Sequence, residues 1–270
     1  GARMMYHACA IAGSDPCGGA GIQADLKVFS AHNVYGMAAI TALTAQNTTG
    51  VSAIHTPPPE FVAEQIRMVF SDVRVDAVKI GMIANAEIAK AVATTLIEVE
   101  AQHIVLDPVM IAKGGAPLLA EDAMDCLRDN LLPLADIITP NLPEAAALLD
   151  EAEAQTREDM TAQAKRLLTL GPRNIYLKGG HFTGAESPDL VLTAASEVWL
   201  DAPRIDTKNT HGTGCSLSAA IAANRACGAS ETEAAEAAKK YITNAIAAAD
   251  QLEVGQGHGP VYHFTHKAHH

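Results

Sequence analysis

The stretch YHACAIAGSDPCGGAGIQADLKVFSA, residues 6–31, decides the fold class. Its apolar residues 6–12 have the length of a buried strand, and Gly13 ends that strand. A glycine-rich turn follows, and 20–31 show a helical pattern. A strand that passes through a glycine-rich turn into a helix is the first half of a β-α-β unit, so the stretch predicts a parallel sheet covered by helices.

The same order of strand and helix recurs along the chain. Short apolar runs that end at Gly, Pro or Asp are predicted as strands at 75–80, 103–107, 135–139 and 174–178. Between them lie helical patterns, one with Val62, Ile66, Val69 and Val73 on a single face and another over 157–170. Right-handed crossovers between such strands predict an α/β fold with a mainly parallel central sheet and helices on both faces.

The predicted sheet has an antiparallel edge and belongs to one domain. Two short apolar runs, 190–193 and 197–200, flank a small-residue turn and predict an edge hairpin. No low-complexity linker divides the chain, so residues 1–270 are predicted to form a single domain. Residues 1–3 are interpreted as a non-native extension and 264–270 as a tail, and His263, His266, His269 and His270 are expected to be solvated.

Composition excludes several classes of protein. The chain has 49% hydrophobic residues and a net charge of -12, with no cluster of Lys and Arg, which argues against nucleic acid as a partner. No apolar run approaches 18 residues, which argues against a membrane span. Five scattered cysteines without a C-x-x-C pair indicate neither a disulfide framework nor a zinc site. A cytoplasmic protein is expected.

The strongest chemical motif is Asn209-Thr210-His211-Gly212-Thr213-Gly214-Cys215, followed by the apolar helical run 216–226. Small residues at a helix start let successive backbone N–H groups point into one concavity, where the helix dipole adds positive potential. Such a site binds a phosphate or the charge of a transferring phosphoryl group. The alternative is a glycine-rich helix start with a structural role only.

This motif resembles the D-T-x-G-A-G-D signature of the ribokinase-like superfamily. Cys215, in place of the last Asp, matches the subgroup of hydroxymethylpyrimidine kinases. Residues 12–25 resemble the first strand, turn and helix of that subgroup, and the resemblance covers roughly residues 8–260. The further matches are 44–48, 79–82, 107–110, 139–145 and 178–181.

The resemblance implies a ribokinase-like fold and a kinase of thiamine biosynthesis. Its expected activity is ATP-dependent phosphorylation of 4-amino-5-hydroxymethyl-2-methylpyrimidine and then of the monophosphate, with ATP and Mg²⁺ as cofactors and a homodimer as the assembly. The pyrimidine and ATP are then its small-molecule partners. Two alternatives remain: a pyridoxal kinase of the same superfamily, and a non-catalytic vitamin-binding protein with the same fold.

The resemblance also assigns the pyrimidine site to Gly13, Asp25, Gln46 and Met82. An amide such as Gln46 offers both a donor and an acceptor to an aminopyrimidine. The alternative for Gln46 is a polar residue at a strand end. The alternative for Asp25 is a carboxylate in the first turn of a helix, where the dipole favours it.

The phosphate site is assigned in the same way. Lys178, Asn141, Thr210 and Thr213 are expected to contact ATP, and Asp107 and Glu144 to hold Mg²⁺. A proline and a glutamate after Asn141 are also typical of an ordinary helix start.

Catalysis is assigned to Cys215, Gly212, Thr213 and Gly214. A thiol at a helix N-terminus has a lowered pKa, so a Cys215 thiolate could accept the proton of the substrate hydroxyl. The alternative for Cys215 is a small packing residue.

Overall fold

A nine-stranded sheet forms the centre of the computed structural model, which describes residues 4–110, 119–120, 122–180, 188–201, 213–248, 261 and 263. The strands are β1 (Tyr6–Ser14), β2 (Val34–Asn47), β3 (Gly50–His55), β4 (Ala77–Ile80), β5 (Ile104–Leu106), β6 (Ile137–Ile138), β7 (Asn174–Lys178), β8 (Asp189–Leu192) and β9 (Glu197–Leu200). Their order across the sheet is β3-β2-β1-β4-β5-β6-β7-β8-β9.

The helices connect these strands. They are α1 (Gly21–Ala31), α2 (Pro59–Asp72), α3 (Ala86–Glu98), α4 (Ala123–Cys126), α5 (Leu142–Leu149), α6 (Arg157–Leu168), α7 (Thr213–Ala226) and α8 (Glu231–Ala247). A π-helical turn at Leu127–Leu131 and a 3₁₀ turn at Leu132–Leu134 follow α4.

Six neighbouring strands, β2-β1-β4-β5-β6-β7, are parallel, and antiparallel strands close the sheet at both edges. The hairpin of β8 and β9 lies antiparallel beside β7, which confirms the predicted edge hairpin. The predicted α/β class with a mainly parallel sheet is therefore confirmed.

The opposite edge was not predicted from the sequence. There β2 continues into an antiparallel hairpin with β3. The run 34–47 lacks a clean alternation of apolar and polar residues, and Tyr35 and Leu43 are exposed apolar side chains within it. The period-2 signal that identifies a half-buried strand is therefore weak in this part of the chain.

Alternation along each strand divides the interior into two cores, one on each face of the sheet. In β1, Cys9 and Ile11 contribute to the core that α2, α3, α5 and α6 cover. Ala8, Ala10 and Ala12 point to the other core, where the helices α1, α7 and α8 pack. The small side chains of β1 allow α7 to lie close to the sheet.

His263 does not belong to a solvated tail, so this prediction is wrong. The residue is only 8% exposed, and its ring stacks on the ring of Tyr241 in α8. The Tyr241 hydroxyl is hydrogen-bonded to His263 Nδ1, and burial lowers the pKa of the imidazole to about 4. An aromatic partner on α8 explains why this histidine is buried. Among the described residues, no helix is both long enough and apolar enough to span a membrane.

Candidate active site

Four polar residues at strand ends lie on the face of the sheet that α7 covers: Lys79, Asp107, Thr139 and Lys178. In each strand the residue two positions earlier belongs to the core against α7, and side chains two apart share a face. All four residues lie at or directly after the carboxyl ends of adjacent parallel strands, where ligands bind in open α/β sheets. The sheet therefore collects these side chains beneath the N-terminus of α7.

Asp15 organises the glycine-rich turn between β1 and α1. Its carboxylate accepts backbone hydrogen bonds from Cys17 at 2.9 Å, Gly19 at 3.1 Å and Ala20 at 2.9 Å. The Asp15 amide in turn donates to Gln23 Oε1 at 2.8 Å. These bonds hold the turn in one conformation above the end of β1.

The turn brings α1 against the end of β1. Gly21 has φ +59°, and a Cβ there would lie 2.3 Å from the carbonyl oxygen of Gly13, so only glycine fits. Gly13 in turn lies beside Met82, because a Cβ built on Gly13 would be 2.7 Å from Met82 Sδ. The structure thus brings together two of the residues that were assigned to the pyrimidine.

Asp25, the third of those residues, is fully buried and paired with Lys79. Lys79 Nζ donates to Asp25 Oδ1 at 2.9 Å and to Oδ2 at 3.0 Å. Burial raises the pKa of Asp25 to about 6, although Lys79 opposes this rise. Asp25 is the fifth residue of α1 and its partner is a lysine, so the first-turn interpretation is wrong.

Gln46 lies near the end of β2, beside the same turn. The Thr44 hydroxyl is 2.7 Å from the Ser14 carbonyl oxygen and 3.1 Å from Gln46 Oε1. Gln46 and Pro16 line one cleft of about 570 Å³ between the turn and the β2–β3 hairpin. The Gln46 amide nitrogen has no hydrogen-bond partner within the described part of the chain.

Lys178 and Asp107 flank the start of α7. A Cβ built on Gly214 would lie 3.2 Å from Lys178 Nζ and 3.7 Å from Asp107 Oδ2, so both charged groups approach the helix backbone closely. Burial opposes the positive charge of Lys178, but Asp107, Glu144 and Asp189 raise its pKa. Lys178 makes no direct ion pair with a described carboxylate.

Asn141 and Glu144 begin α5 with a reciprocal capping box. Asn141 Oδ1 accepts from the Glu144 amide at 2.8 Å, and Glu144 Oε1 accepts from the Asn141 amide at 2.9 Å. The helix-start interpretation is therefore correct. Burial raises the pKa of Glu144 to about 7; Lys178 lowers it and Asp107 raises it. The carboxyl group is thus also part of the charged cluster.

The carboxylates of this cluster fit Mg²⁺. The described residues include no group of three or more His, Cys, Asp or Glu that could enclose a metal. Mg²⁺ needs no such enclosure, because it keeps several waters and binds through one or two carboxylates together with substrate phosphates. Asp107 and Glu144 interact electrostatically and supply two carboxylates. The buried Thr139 hydroxyl, without a partner among the described residues, adds a nearby polar group.

Cys215 lies in the first turn of α7 and keeps part of its surface exposed. Burial raises the pKa of its thiol, and Lys79 and a backbone hydrogen bond from Gly21 oppose the rise. The direction is opposite to the predicted lowering of the pKa, because burial outweighs Lys79 and the Gly21 hydrogen bond.

Two of the predicted site residues, Thr210 and Gly212, lie outside the described part of the chain. Sequence reasoning placed Lys79 and Asp15 at strand ends but assigned neither of them a role in the site. Lys79 interrupts an otherwise apolar strand, which is a usable signal, and Asp15 precedes a glycine-rich turn, which is typical of an aspartate that binds turn amides.

Comparison with known proteins identifies the family. The model of the phosphomethylpyrimidine kinase family matches residues 15–262. The hydroxymethylpyrimidine/phosphomethylpyrimidine kinase of Salmonella typhimurium is 54% identical over 97% of this chain and 98% of its own length.

Solved structures agree with this match. A phosphomethylpyrimidine kinase from Clostridium difficile is 41% identical with a TM-score of 0.80, and covers 89% of this chain and 99% of its own. The pyridoxal kinase of Bacillus subtilis in complex with ADP is 38% identical with a TM-score of 0.88, over 96% of this chain and 98% of its own. The family model covers most of the chain, and one relative shares more than half of its residues. The chain therefore belongs to the phosphomethylpyrimidine kinase family.

Proposed function

We propose that this protein transfers the γ-phosphoryl group of ATP to the hydroxymethyl oxygen of 4-amino-5-hydroxymethyl-2-methylpyrimidine, and then phosphorylates the monophosphate to the diphosphate. The observation that carries the proposal is the 54% identity to a hydroxymethylpyrimidine/phosphomethylpyrimidine kinase over nearly the full length of both chains. The cluster of Asp107, Glu144 and Lys178 below α7 supports it, because phosphoryl transfer depends mainly on positioning and on charge stabilisation.

The phosphates are bound at the start of α7 in this proposal. Lys178 and the backbone amides of Thr213 and Gly214 receive the transferring group, and the N-terminal end of the helix dipole adds positive potential. Asn141 and Thr210 contact the nucleotide. Asp107 and Glu144 hold Mg²⁺, which neutralises phosphate charge when bound. The ADP complex of the Bacillus subtilis relative supports nucleotide binding by this fold.

The pyrimidine is bound between the glycine-rich turn and β2. Gly13 and Met82 face the ring, and the Gln46 amide receives its amino group and ring nitrogen. Asp25, which is fully buried against Lys79, borders this site. In the first step the substrate hydroxyl gives its proton to the thiolate form of Cys215, which Lys79 favours against burial, as the hydroxyl oxygen bonds the γ-phosphorus. The bond from that phosphorus to the bridging oxygen breaks, and ADP leaves with the electron pair.

The two steps make different demands on Cys215, and this difference provides a test. The first nucleophile is a neutral alcohol, whereas the second is a phosphate that is already largely ionised near pH 7 because its second pKa is about 6. Cys215→Ala is expected to slow the first phosphorylation about tenfold more than the second, measured as kcat/KM on each substrate. Equal slowing would mean that the substitution damages the shared phosphate site.

A coupled ADP-release assay with Mg²⁺ tests the proposal as a whole. Turnover is expected with hydroxymethylpyrimidine and with its monophosphate, and none of either would refute the proposal. Pyridoxal belongs in the same assay because a pyridoxal kinase shares the fold with a TM-score of 0.88, so pyridoxal kinase activity is the second candidate function. Hydroxyethylthiazole serves as a negative control.

A cytoplasmic homodimer remains our proposal for location and assembly. All five cysteines are free, as in proteins of a reducing compartment. Tyr35 in β2 and Phe61 and Met68 in α2 are exposed apolar side chains, which a second copy of the chain would cover. Light scattering coupled to size-exclusion chromatography tests the dimer directly.

A further inference from the structure

Lys79 is buried in a way that stability alone does not explain. The side chains of Lys79 and Asp25 both have 0% exposure, and the ammonium contacts both carboxylate oxygens. Replacing a buried ion pair by well-packed apolar residues is often neutral or stabilising, so such a pair is weak evidence for a purely structural role.

The surrounding backbone leaves room for this ammonium group and for little else. A Cβ built on Gly81 would lie 2.9 Å from Lys79 Nζ and 3.0 Å from the Ala12 side chain. Glycine at position 81 therefore gives the lysine its space at the end of β4. Burial opposes the charge on Lys79, but Asp25, Cys215 and Asp107 together raise its pKa, so the group stays a cation at neutral pH.

Cys215 lies within the electrostatic reach of this pair, because α7 packs against both α1, which carries Asp25, and β4, which carries Lys79. Lys79 is the charge that most strongly favours a thiolate at Cys215, against burial and the negative charges of Asp25 and Asp107. Lys178, at the end of β7, also interacts electrostatically with Cys215.

We propose that Lys79 is a positioning residue of the transfer reaction: its ammonium fixes the Asp25 carboxylate at the pyrimidine site and supports negative charge on Cys215 Sγ. The inference deepens the proposed function and rests on it for the identity of the substrate. One buried cation thereby serves both the carboxylate that borders the substrate site and the residue that accepts the substrate's proton.

The test measures Cys215 in the intact protein without any substrate. Wild type, Lys79→Met and the double variant Lys79→Met/Asp25→Asn are alkylated with iodoacetamide across a range of pH. Peptide mass spectrometry separates Cys215 from the other four cysteines. Lys90→Met, which removes an exposed lysine of α3, is the matched control. Circular dichroism establishes which variants are folded.

The pH midpoint of Cys215 alkylation is expected to rise by about one unit in Lys79→Met, which corresponds to tenfold less thiolate below the midpoint. It should rise less in the double variant, because that variant also loses the opposing charge of Asp25. Lys90→Met should match wild type. Lys79→Met leaves Asp25 unpaired and can fail to fold, in which case the midpoint of the double variant decides.

An unchanged or lower midpoint in the folded Lys79 variants would overturn the inference, since a purely structural lysine would not move it. In the Lys79 variants the pH profile of kcat with hydroxymethylpyrimidine should shift to higher pH in parallel. The pH profile of kcat with the monophosphate should shift less. Because alkylation needs no turnover, failure of the proposed function would show in the ADP-release assay while the order of midpoints stayed the same.

Discussion

Charged side chains gather at the two ends of α7 in contrasting arrangements. At its C-terminal end, Arg225 donates to Asp136 at 2.9 Å, to the Ala229 carbonyl at 2.7 Å and lies 2.8 Å from His103 Nδ1. At its N-terminal end, Lys178 faces Asp107 and Glu144 without a direct ion pair among the described residues. Removal of one partner from the paired charges at the C-terminal end should destabilise the fold, whereas the close but unpaired charges at the N-terminal end remain available to a ligand.

Lys178→Met should have the largest effect and should act on catalysis. Loss of one group that stabilises transition-state charge typically lowers kcat by about 10²–10³-fold. The expected change in thermal stability is small, because Lys178 has no direct ion pair to lose. Steady-state kinetics and a thermal melt of the same preparation measure the two effects. A large fall in melting temperature with little loss of kcat would contradict the contrast between the two ends.

Arg225→Met should show the reverse. It leaves Asp136 buried without its cation, and breaking one partner of a buried pair costs about 3–5 kcal/mol of unfolding free energy. Arg225 lies ten residues beyond Cys215, about 15 Å along the helix, so kcat of the folded protein should stay within about twofold of wild type. Urea unfolding measures the loss of stability. A hundredfold fall in kcat with normal stability would show that this end also takes part in catalysis.

The same contrast shows which parts of the fold and the site could be predicted from the sequence. The strand ends at Lys79, Asp107 and Lys178 follow from apolar runs that stop at charged or small residues, and parallel topology then places these ends at one edge. The pairing of Lys79 with Asp25 could not be predicted, because it depends on how α1 packs against β4. The β2–β3 hairpin was missed because β2 lacks alternation, and His263 because its partner lies 22 residues away on α8.

Glu144→Gln should have an intermediate effect, and the effect should depend on pH. The pKa of Glu144 is raised to about 7 from 4.5, so the stability linked to its protonated form is present below pH 4.5 and is lost as the pH rises through about 7. The free energy of unfolding of wild type should therefore fall by about 1–3 kcal/mol over this range from Glu144 alone. Glutamine keeps the capping box and removes this contribution.

Urea titrations of both proteins at pH 5 and pH 8 measure the difference, with Glu153→Gln on the exposed surface as the matched control. Equal pH dependence in wild type and Glu144→Gln would mean that the pKa of Glu144 is not raised in the folded protein. In turnover the same variant should lower kcat more than it weakens pyrimidine binding, because Glu144 acts on metal and phosphate in the proposed site.

Gln46→Leu should have the smallest effect, confined to recognition of the ring. Gln46 is only partly buried, so loss of its hydrogen bonds to an aminopyrimidine should weaken binding by about 1 kcal/mol, or roughly fivefold. Calorimetry with hydroxymethylpyrimidine and with an analogue that lacks the amino group measures this loss, and the analogue should be affected much less. Thr49→Val, a change in the same cleft away from the ring-reading amide, is the control. If both ligands lost affinity equally, Gln46 would support the loop through Thr44 and would not read the pyrimidine.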